Sequence, residues 1–262
     1  MLGPRPSAVV APSIWNAAVL VPKRKPGGSW GRVWSGIATI VPVSTEIRRG
    51  TERFTEKAAG RLSRHSFSFG ASHDPENLGF GPMTCHDDHL LGSGQGFETH
   101  RHSGLVIVSW VVSGVLRHTG PDGSVDVPAG SVAVLNAGPG VDHAEVAAAP
   151  QTRFVQVWLR TDDPAEQPSY DAWPVALGTG LTEVLTHEGA TFSVARLEAG
   201  ESLTLPEAPL RHLYLARGAL TRSSLAEPLA EGDAFRFTAE PGEPPFEVTA
   251  AVPSELLLWT FA

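Results

Sequence analysis

The sequence predicts an all-β protein that contains two β-barrels of the jelly-roll type. Glycine and proline supply 27 and 22 of the 262 residues, which is typical of a chain with many turns between short strands. Long stretches with helical periodicity are scarce. Residues 217–220 (RGAL) align with residues 113–116 (SGVL) at an offset of 104 residues, and such a repeat predicts two copies of one β module.

The strands predicted in the first half follow one another at short intervals. Residues 105–112 (LVIVSWVV) form a continuous apolar run that is long enough for a buried strand and rich in β-branched residues. The turn signal Pro121-Asp122-Gly123 predicts a hairpin, because proline presets φ and glycine adopts positive φ. The remaining predicted strands are residues 115–119, 124–127, 131–136 and 153–160.

The first 45 residues differ in composition from the rest of the chain. They contain basic residues, tryptophans and prolines but no acidic residue. We predict that residues 1–45 form a disordered extension or reflect a mis-assigned start. An organelle or export address and a folded element are the alternatives.

Composition also bears on partners and compartment. The net charge of −8 repels phosphate backbones and argues against direct binding of nucleic acid. Prolines and charges interrupt every apolar run before it reaches about 18 residues, so no membrane span is predicted. Cys85 is the single cysteine, which excludes an internal disulfide and favours a reducing compartment, the cytoplasm. We expect a monomer.

Two short motifs predict a metal site. His100 and His102 are separated by one residue, as are His143 and Glu145. Residues i and i+2 of a strand point to the same face, so each pair can approach one ion from one side. Three imidazoles and a carboxylate suit iron(II), manganese, nickel, copper or zinc, and an octahedral ion keeps two positions open for substrate or oxygen.

These motifs belong to a longer pattern that resembles the pirin family of the cupin superfamily. The pattern is strong over residues 46–165 and comprises residues 65–70 (HSFSFG), 74–75 (DP), 79–81 (GFG), 87–88 (DD), 94–97 (GQGF), 100–102 (HRH) and 137–145 (AGPGVDHAE). The resemblance implies a bicupin, in which two β-barrels face each other. It also implies a metal in the N-terminal barrel, usually iron, bound by His100, His102, His143 and Glu145.

Composition, the internal repeat and the resemblance together predict four parts of the chain. They are the extension, a metal-binding N-terminal cupin domain, a connecting segment and a degenerate, metal-free C-terminal cupin domain, at residues 1–45, 46–165, 166–187 and 188–262. At the repeat offsets the four candidate ligands align with Thr204, Pro206, Pro245 and Glu247. The second copy therefore lacks three of the four ligands, and we interpret its isolated His212 as a satisfied or surface histidine.

Two positions depart from the pirin pattern. Pirins typically have proline between the two histidines and glutamate four residues after the second one, where this chain has Arg101 and Val106. We expect Arg101 to face away from the barrel interior. On a regular strand Val106 shares the face of both histidines, so an apolar branch replaces a carboxylate near the metal and alters the groups that tune its reactivity.

Other candidate residues receive a structural interpretation. Glu98 lies two residues before His100 and so points to the same face of a strand, but charged residues at the start of a strand are usually solvated. We assign His86 and His89 to one polar loop and His118 to a hairpin. Cys85 is expected to be a small packing residue, since no catalytic partner can be assigned to it.

The function implied by the resemblance is a quercetin 2,3-dioxygenase-like reaction on a flavonol or a related enol-bearing aromatic. Glu145 would serve as a ligand and then as the general base that takes the hydroxyl proton. The alternative is a non-enzymatic regulator that responds to the metal's redox state and binds a protein partner. A cupin isomerase of sugar phosphates ranks last, because few basic residues are available near the site to bind a phosphate.

Overall fold

The computed structural model describes residues 44–162, 166–222, 228–238 and 245–262. Apart from its last two positions, the predicted extension over residues 1–45 lies outside the described residues. The described residues form strands joined by turns and one short 3-10 helix, Gly50–Glu52. The all-β prediction is confirmed.

The strands are numbered in chain order. Those that precede residue 175 are β1 (Ser44–Arg48), β2 (Phe54–Ala58), β3 (Arg61–His65), β4 (Met83–Leu91), β5 (Gly96–His102), β6 (Leu105–Ser113), β7 (Val115–Gly120), β8 (Gly123–Pro128), β9 (Ser131–Asn136), β10 (Val141–Ala147), β11 (Thr152–Arg160) and β12 (Ser169–Pro174). Those that follow are β13 (Leu181–His187), β14 (Ala190–Leu197), β15 (Ser202–Thr204), β16 (Leu210–Arg217), β17 (Ala219–Arg222), β18 (Leu229–Ala230), β19 (Ala234–Thr238), β20 (Glu247–Ala250) and β21 (Ser254–Phe261).

Each half of the chain forms a large sheet and a small sheet. In the first half, a seven-stranded sheet in the order β12-β9-β6-β11-β4-β3-β2 accompanies a four-stranded sheet in the order β5-β10-β7-β8. In the second half, the corresponding orders are β1-β19-β16-β21-β14-β13 and β15-β20-β17-β18. Adding ten to each label converts β9-β6-β11-β4 into β19-β16-β21-β14, so the strand order repeats as the sequence alignment indicated.

At both ends of the first half, strands that are consecutive in the chain belong to different large sheets. Strand β1 pairs with β19, so the first described strand belongs to the sheet of the second half. The predicted connecting segment contains two strands, of which β12 pairs with β9 and β13 pairs with β14. The division of the chain at residues 46, 166 and 188 stays a prediction.

Three layers of apolar side chains hold these sheets together. One core lies between the two large sheets and includes Val108, Trp110, Phe192 and Trp259. The interiors of the first and second halves have apolar clusters of their own. Strand β6 lies in the centre of its sheet and is buried on both faces, which explains why its sequence is a continuous apolar run rather than an alternating one.

Candidate metal centre

Three of the predicted ligands converge inside the first half. Strands β5 and β10 are antiparallel neighbours, and their register places His143 opposite His100. His102 lies on the same face as His100, since it is two residues further along β5. One ring nitrogen from each of the three histidines lies within 4.8 Å of those of the other two. The centroid of the His143 ring is 4.5 Å from that of His100 and 5.2 Å from that of His102.

The nitrogens of this cluster fit a metal ion. Nε2 of His102 and both ring nitrogens of His143 are buried and have no hydrogen-bond partner, and buried polar atoms without partners are rare in proteins. Burial, with a smaller effect from His100, lowers the pKa of His102 to about 4 and that of His143 to about 2. Both rings are therefore neutral at pH 7, as metal ligation requires.

His100 is oriented by the backbone of its own strand. Its Nδ1 forms a 2.7 Å hydrogen bond with the carbonyl oxygen of Glu98, which leaves Nε2 to face the cluster. Glu98 thus contributes its carbonyl group, while its side chain is exposed. The strands approach closely here, and a Cβ at Gly96 would overlap the carbonyl oxygen of Glu145, so glycine is required at that position.

Glu145 is buried in the same interior but lies outside the histidine cluster. Both of its carboxylate oxygens accept hydrogen bonds from Gln156 Nε2, at 3.0 and 2.9 Å. Burial raises the pKa of Glu145 to about 7, although the hydrogen bond from Gln156 acts in the opposite direction. Gln156 Oε1 in turn accepts a bond from Trp158 Nε1. The structure therefore brings three of the four predicted ligands together and places the fourth on an amide.

A fourth histidine, which the sequence patterns did not place near the metal ligands, lies next to this cluster. His118 lies on β7 opposite Glu145, and its ring centroid is 5.1 Å from that of His143. Its ring stacks on Tyr170 with the centroids 3.6 Å apart. His118 is a hairpin residue as predicted, since it lies opposite Val125 in the β7–β8 hairpin. The pairing of β7 with β10 also brings it next to His143.

Aromatic side chains form one wall next to the histidines. The ring of His102 packs edge-on against Trp158 with the centroids 4.7 Å apart. Phe69, from the loop after β3, lies 6.0 Å from Trp158. Both aromatic side chains are partly exposed.

Comparisons with known proteins identify the family. The pirin family model matches residues 47–159. A protein of Mycobacterium tuberculosis named "Putative quercetin 2,3-dioxygenase" is 35% identical over 234 residues, which cover 82% of this chain and 94% of the relative. A Pseudomonas aeruginosa protein of the same name is 30% identical over 230 residues, with 80% and 97% covered. The chain belongs to the pirin family.

Solved structures agree with this fold. The bacterial pirin YhhW from Escherichia coli, in complex with nickel(II), superposes with a TM-score of 0.75 at 23% sequence identity, over 83% of this chain and 99% of that one. The bicupin architecture implied by the sequence is therefore confirmed.

Val106 does not lie where the comparison with other pirins predicted. Strand β5 ends at His102 and the chain turns at Gly104, which has a φ of 63°, so the alternation of faces does not continue to Val106. Val106 lies on β6 and packs in the core between the two large sheets, with 2% of its surface exposed. The prediction that it shares the face of the histidines is wrong. Arg101 does point outward, where it pairs with Asp142 at 2.9 Å.

The histidines assigned to a polar loop are buried in strand β4. His86 and His89 are 0% and 3% exposed, and their odd separation directs them to opposite faces of the strand. His89 faces the interior of the first half beside Phe154 and shares a hydrogen bond with Ser63. His86 faces the second half, where it meets His212. Cys85 is buried and free, as expected of a packing residue.

The second half has no equivalent metal site among its described residues. The pairing of β15 with β20 places Thr204 opposite Glu247, and the surrounding interior is apolar. Across the described parts of the chain, the histidine trio of the first half is the only group of three or more possible metal ligands. No helix in these parts is long and apolar enough to span a membrane.

Proposed function

We propose that this pirin is a metal-dependent dioxygenase that acts on a flavonol or a related enol-bearing aromatic. The observation that carries the proposal is the trio of inward-facing imidazoles, three of whose buried nitrogens have no hydrogen-bond partner. The names of the mycobacterial and pseudomonad relatives support the choice of substrate class. A cytoplasmic location and a monomeric state are part of the same proposal.

His100, His102 and His143 would hold the ion, with Glu145 as the fourth ligand. Imidazole and carboxylate donors suit a divalent transition metal, and we propose iron(II). When bound, the metal supplies a Lewis acid that lowers the pKa of a coordinated hydroxyl and a redox centre for reaction with oxygen. Entry of Glu145 into the ligand set requires its carboxylate to exchange its hydrogen bonds with Gln156.

Glu145 is also the proposed general base. A base works best when its pKa lies near the operating pH, and burial brings the pKa of Glu145 to about 7. Gln156 orients the carboxylate and is itself fixed by Trp158 and by Ser109, whose Oγ accepts a 3.1 Å bond from Gln156 Nε2. Once Glu145 has left the ligand set, these bonds would hold its carboxylate in one position as it receives the substrate's proton.

The aromatic wall supports a flat substrate. The partly exposed rings of Phe69 and Trp158 lie on the side of His102, where an aromatic ligand gains contact area and displaces water. Exclusion of water strengthens the interaction between Glu145 and the proton that it accepts.

The test is aerobic turnover of quercetin by the full chain after anaerobic loading with iron(II). We expect multiple turnovers per chain, seen as loss of the flavonol absorbance. His143→Ala is expected to lose both iron and turnover, whereas His73→Ala, which removes an exposed histidine far along the chain from the cluster, keeps both. Glu145→Gln is expected to reduce kcat by about 100-fold or more.

Two outcomes would contradict the proposal. Retention of iron and turnover in His143→Ala would place the reaction elsewhere. One bound iron per chain without turnover would favour a non-enzymatic regulator that binds a protein partner.

A further inference from the structure

A second group of buried polar side chains lies between the two halves, on the opposite face of β4 from the histidine trio. His86 on β4 and His212 on β16 have ring centroids 4.5 Å apart, and both residues are 0% exposed. Tyr214 lies 4.8 Å from His86, and the Arg53 guanidinium carbon is 4.6 Å from the Tyr214 ring centroid. His212 is thus neither a satisfied core histidine nor a surface one.

This group contains several buried side-chain nitrogens that have no hydrogen-bond partner. All three guanidinium nitrogens of Arg53 are buried without a partner, as are Nε2 of His86 and both ring nitrogens of His212. Arg53 itself is 8% exposed. The face of its guanidinium is covered by Tyr214, but stacking leaves the N–H groups around the edge unused. A buried charged donor without an acceptor is strongly unfavourable.

The nearby oxygens of Asp88 and Asn77 already have other donors. Asp88 accepts two bonds from Arg153, at 2.9 and 2.8 Å, and one from Tyr214 Oη at 2.7 Å. Asn77 Oδ1 accepts a 2.8 Å bond from Arg236, a second buried arginine on this side of the molecule. Neither of these residues accepts a bond from Arg53, whose guanidinium nitrogens have no partner among the described residues.

The sign of the charge selects the kind of ligand. Arg53 and Arg236 are both cations. Arg236 has the Glu46 carboxylate at 3.6 Å, whereas none of the guanidinium nitrogens of Arg53 has a partner among the described residues. Burial together with these arginines keeps the pKa of His86 and His212 well below its ordinary value. The neutral imidazoles each provide one N–H. A metal cation would be repelled by the arginines, whereas an anion would be neutralised and would accept the unused N–H groups.

We propose that the junction of the two halves binds one small monovalent anion, of about the size of a halide or formate, through Arg53, His86 and His212. The complete burial of the two imidazoles limits the ion to a small one. Because both halves contribute donors, the bound ion links β4 to β16 and stabilises their contact. This site is separate from the metal centre and does not depend on the proposed oxygenase activity.

The test is binding of bromide to the full chain, measured by calorimetry and by thermal unfolding. Sodium gluconate at the same ionic strength is the control, since its bulky anion cannot enter an enclosed site. We expect saturable bromide binding and a rise in Tm that gluconate does not produce. Arg53→Gln is expected to weaken bromide binding by about tenfold or more.

Arg117→Gln is the matched control variant, because Arg117 lies in an exposed ion pair with Asp126, and it is expected to bind bromide like the wild type. If Arg53→Gln does not fold, His212→Phe replaces it, and the same weakening is expected. Equal effects of bromide and gluconate on the wild type would overturn the proposal and indicate water at the junction. Unchanged bromide affinity in the variant that folds would overturn it as well.

Discussion

The position of Val106 makes a sharp prediction, because this is where the chain departs from other pirins. Val106→Glu restores the residue type that the family pattern has after its second histidine. If Val106 faced the metal, the carboxylate would tune the site and leave stability nearly unchanged. In the structure Val106 is 2% exposed in the core between the two large sheets, so we expect the new carboxyl group to be buried and neutral.

The loss of stability caused by Val106→Glu depends on pH, and its size can be calculated. A buried carboxyl group with a raised pKa binds a proton in the folded state that the unfolded chain releases above about pH 4.3. Each further pH unit then lowers the free energy of unfolding by about 1.4 kcal/mol. This pH-dependent loss of stability reaches about 3.7 kcal/mol at pH 7 and disappears near pH 4. Val106→Gln is the control, because it introduces a polar group of the same length that does not titrate.

The assay is urea unfolding of both variants at pH 4.5 and pH 7. We expect the two free energies of unfolding to be similar at pH 4.5 and to differ by about 3–4 kcal/mol at pH 7, with Val106→Glu less stable. Equal stability of the two variants at pH 7, together with a changed metal affinity in Val106→Glu, would refute the placement of Val106 in the core.

Two further substitutions test the packing between and within the halves. Asp88→Asn removes a carboxylate that is 2% exposed and pairs with Arg153. We expect the free energy of unfolding, measured with urea at pH 7, to fall by about 3–5 kcal/mol. The control Asp126→Asn, at the protein surface, is expected to change it much less. Hydrogen bonds and the charge of Arg153 hold the pKa of Asp88 low despite its burial. The difference in free energy of unfolding between the wild type and Asp88→Asn is therefore largest above about pH 4 and becomes smaller as the pH falls below that. A difference that grows on acidification would contradict this assignment. Gly114→Ala is expected to reduce stability by about 1–3 kcal/mol, seen as a lower Tm. The reason is that Gly114 has a φ of 74° and a Cβ there would lie 2.7 Å from the Thr152 Cα. An unchanged Tm would contradict this close approach of the two segments.

Local patterns in the sequence were sufficient to predict five strands of the first half, β6 to β9 and β11, and the pair of His100 and His102. A run such as residues 105–112 reports directly that both faces of its strand are buried, and the spacing of His100 and His102 reports that they share a face. These inferences need only the geometry of a single strand. The pairing of His143 with His100 required more, and it came from the resemblance to pirins.

Features that depend on pairing between distant segments were not predictable in this way. The face of Val106 was inferred from the alternation of side chains along β5. The turn at Gly104 ends that alternation, because Val106 belongs to the next strand, β6. His118 gains its role from the register of β7 with β10, and His86 meets His212 only because the two large sheets stack. Neither contact leaves a mark in the sequence near the residue.

The pairing of β1 with β19 has a consequence for synthesis on the ribosome. Residues 44–48 pair with residues 234–238, so about 190 residues must be translated before the first described strand finds its partner. At about 5–20 residues per second, that delay is about 10–40 s. A nascent chain that has completed only the first half therefore carries a strand with an unpaired edge, which favours aggregation. A fragment designed to fold by itself should keep Ser44–Arg48 together with the second half.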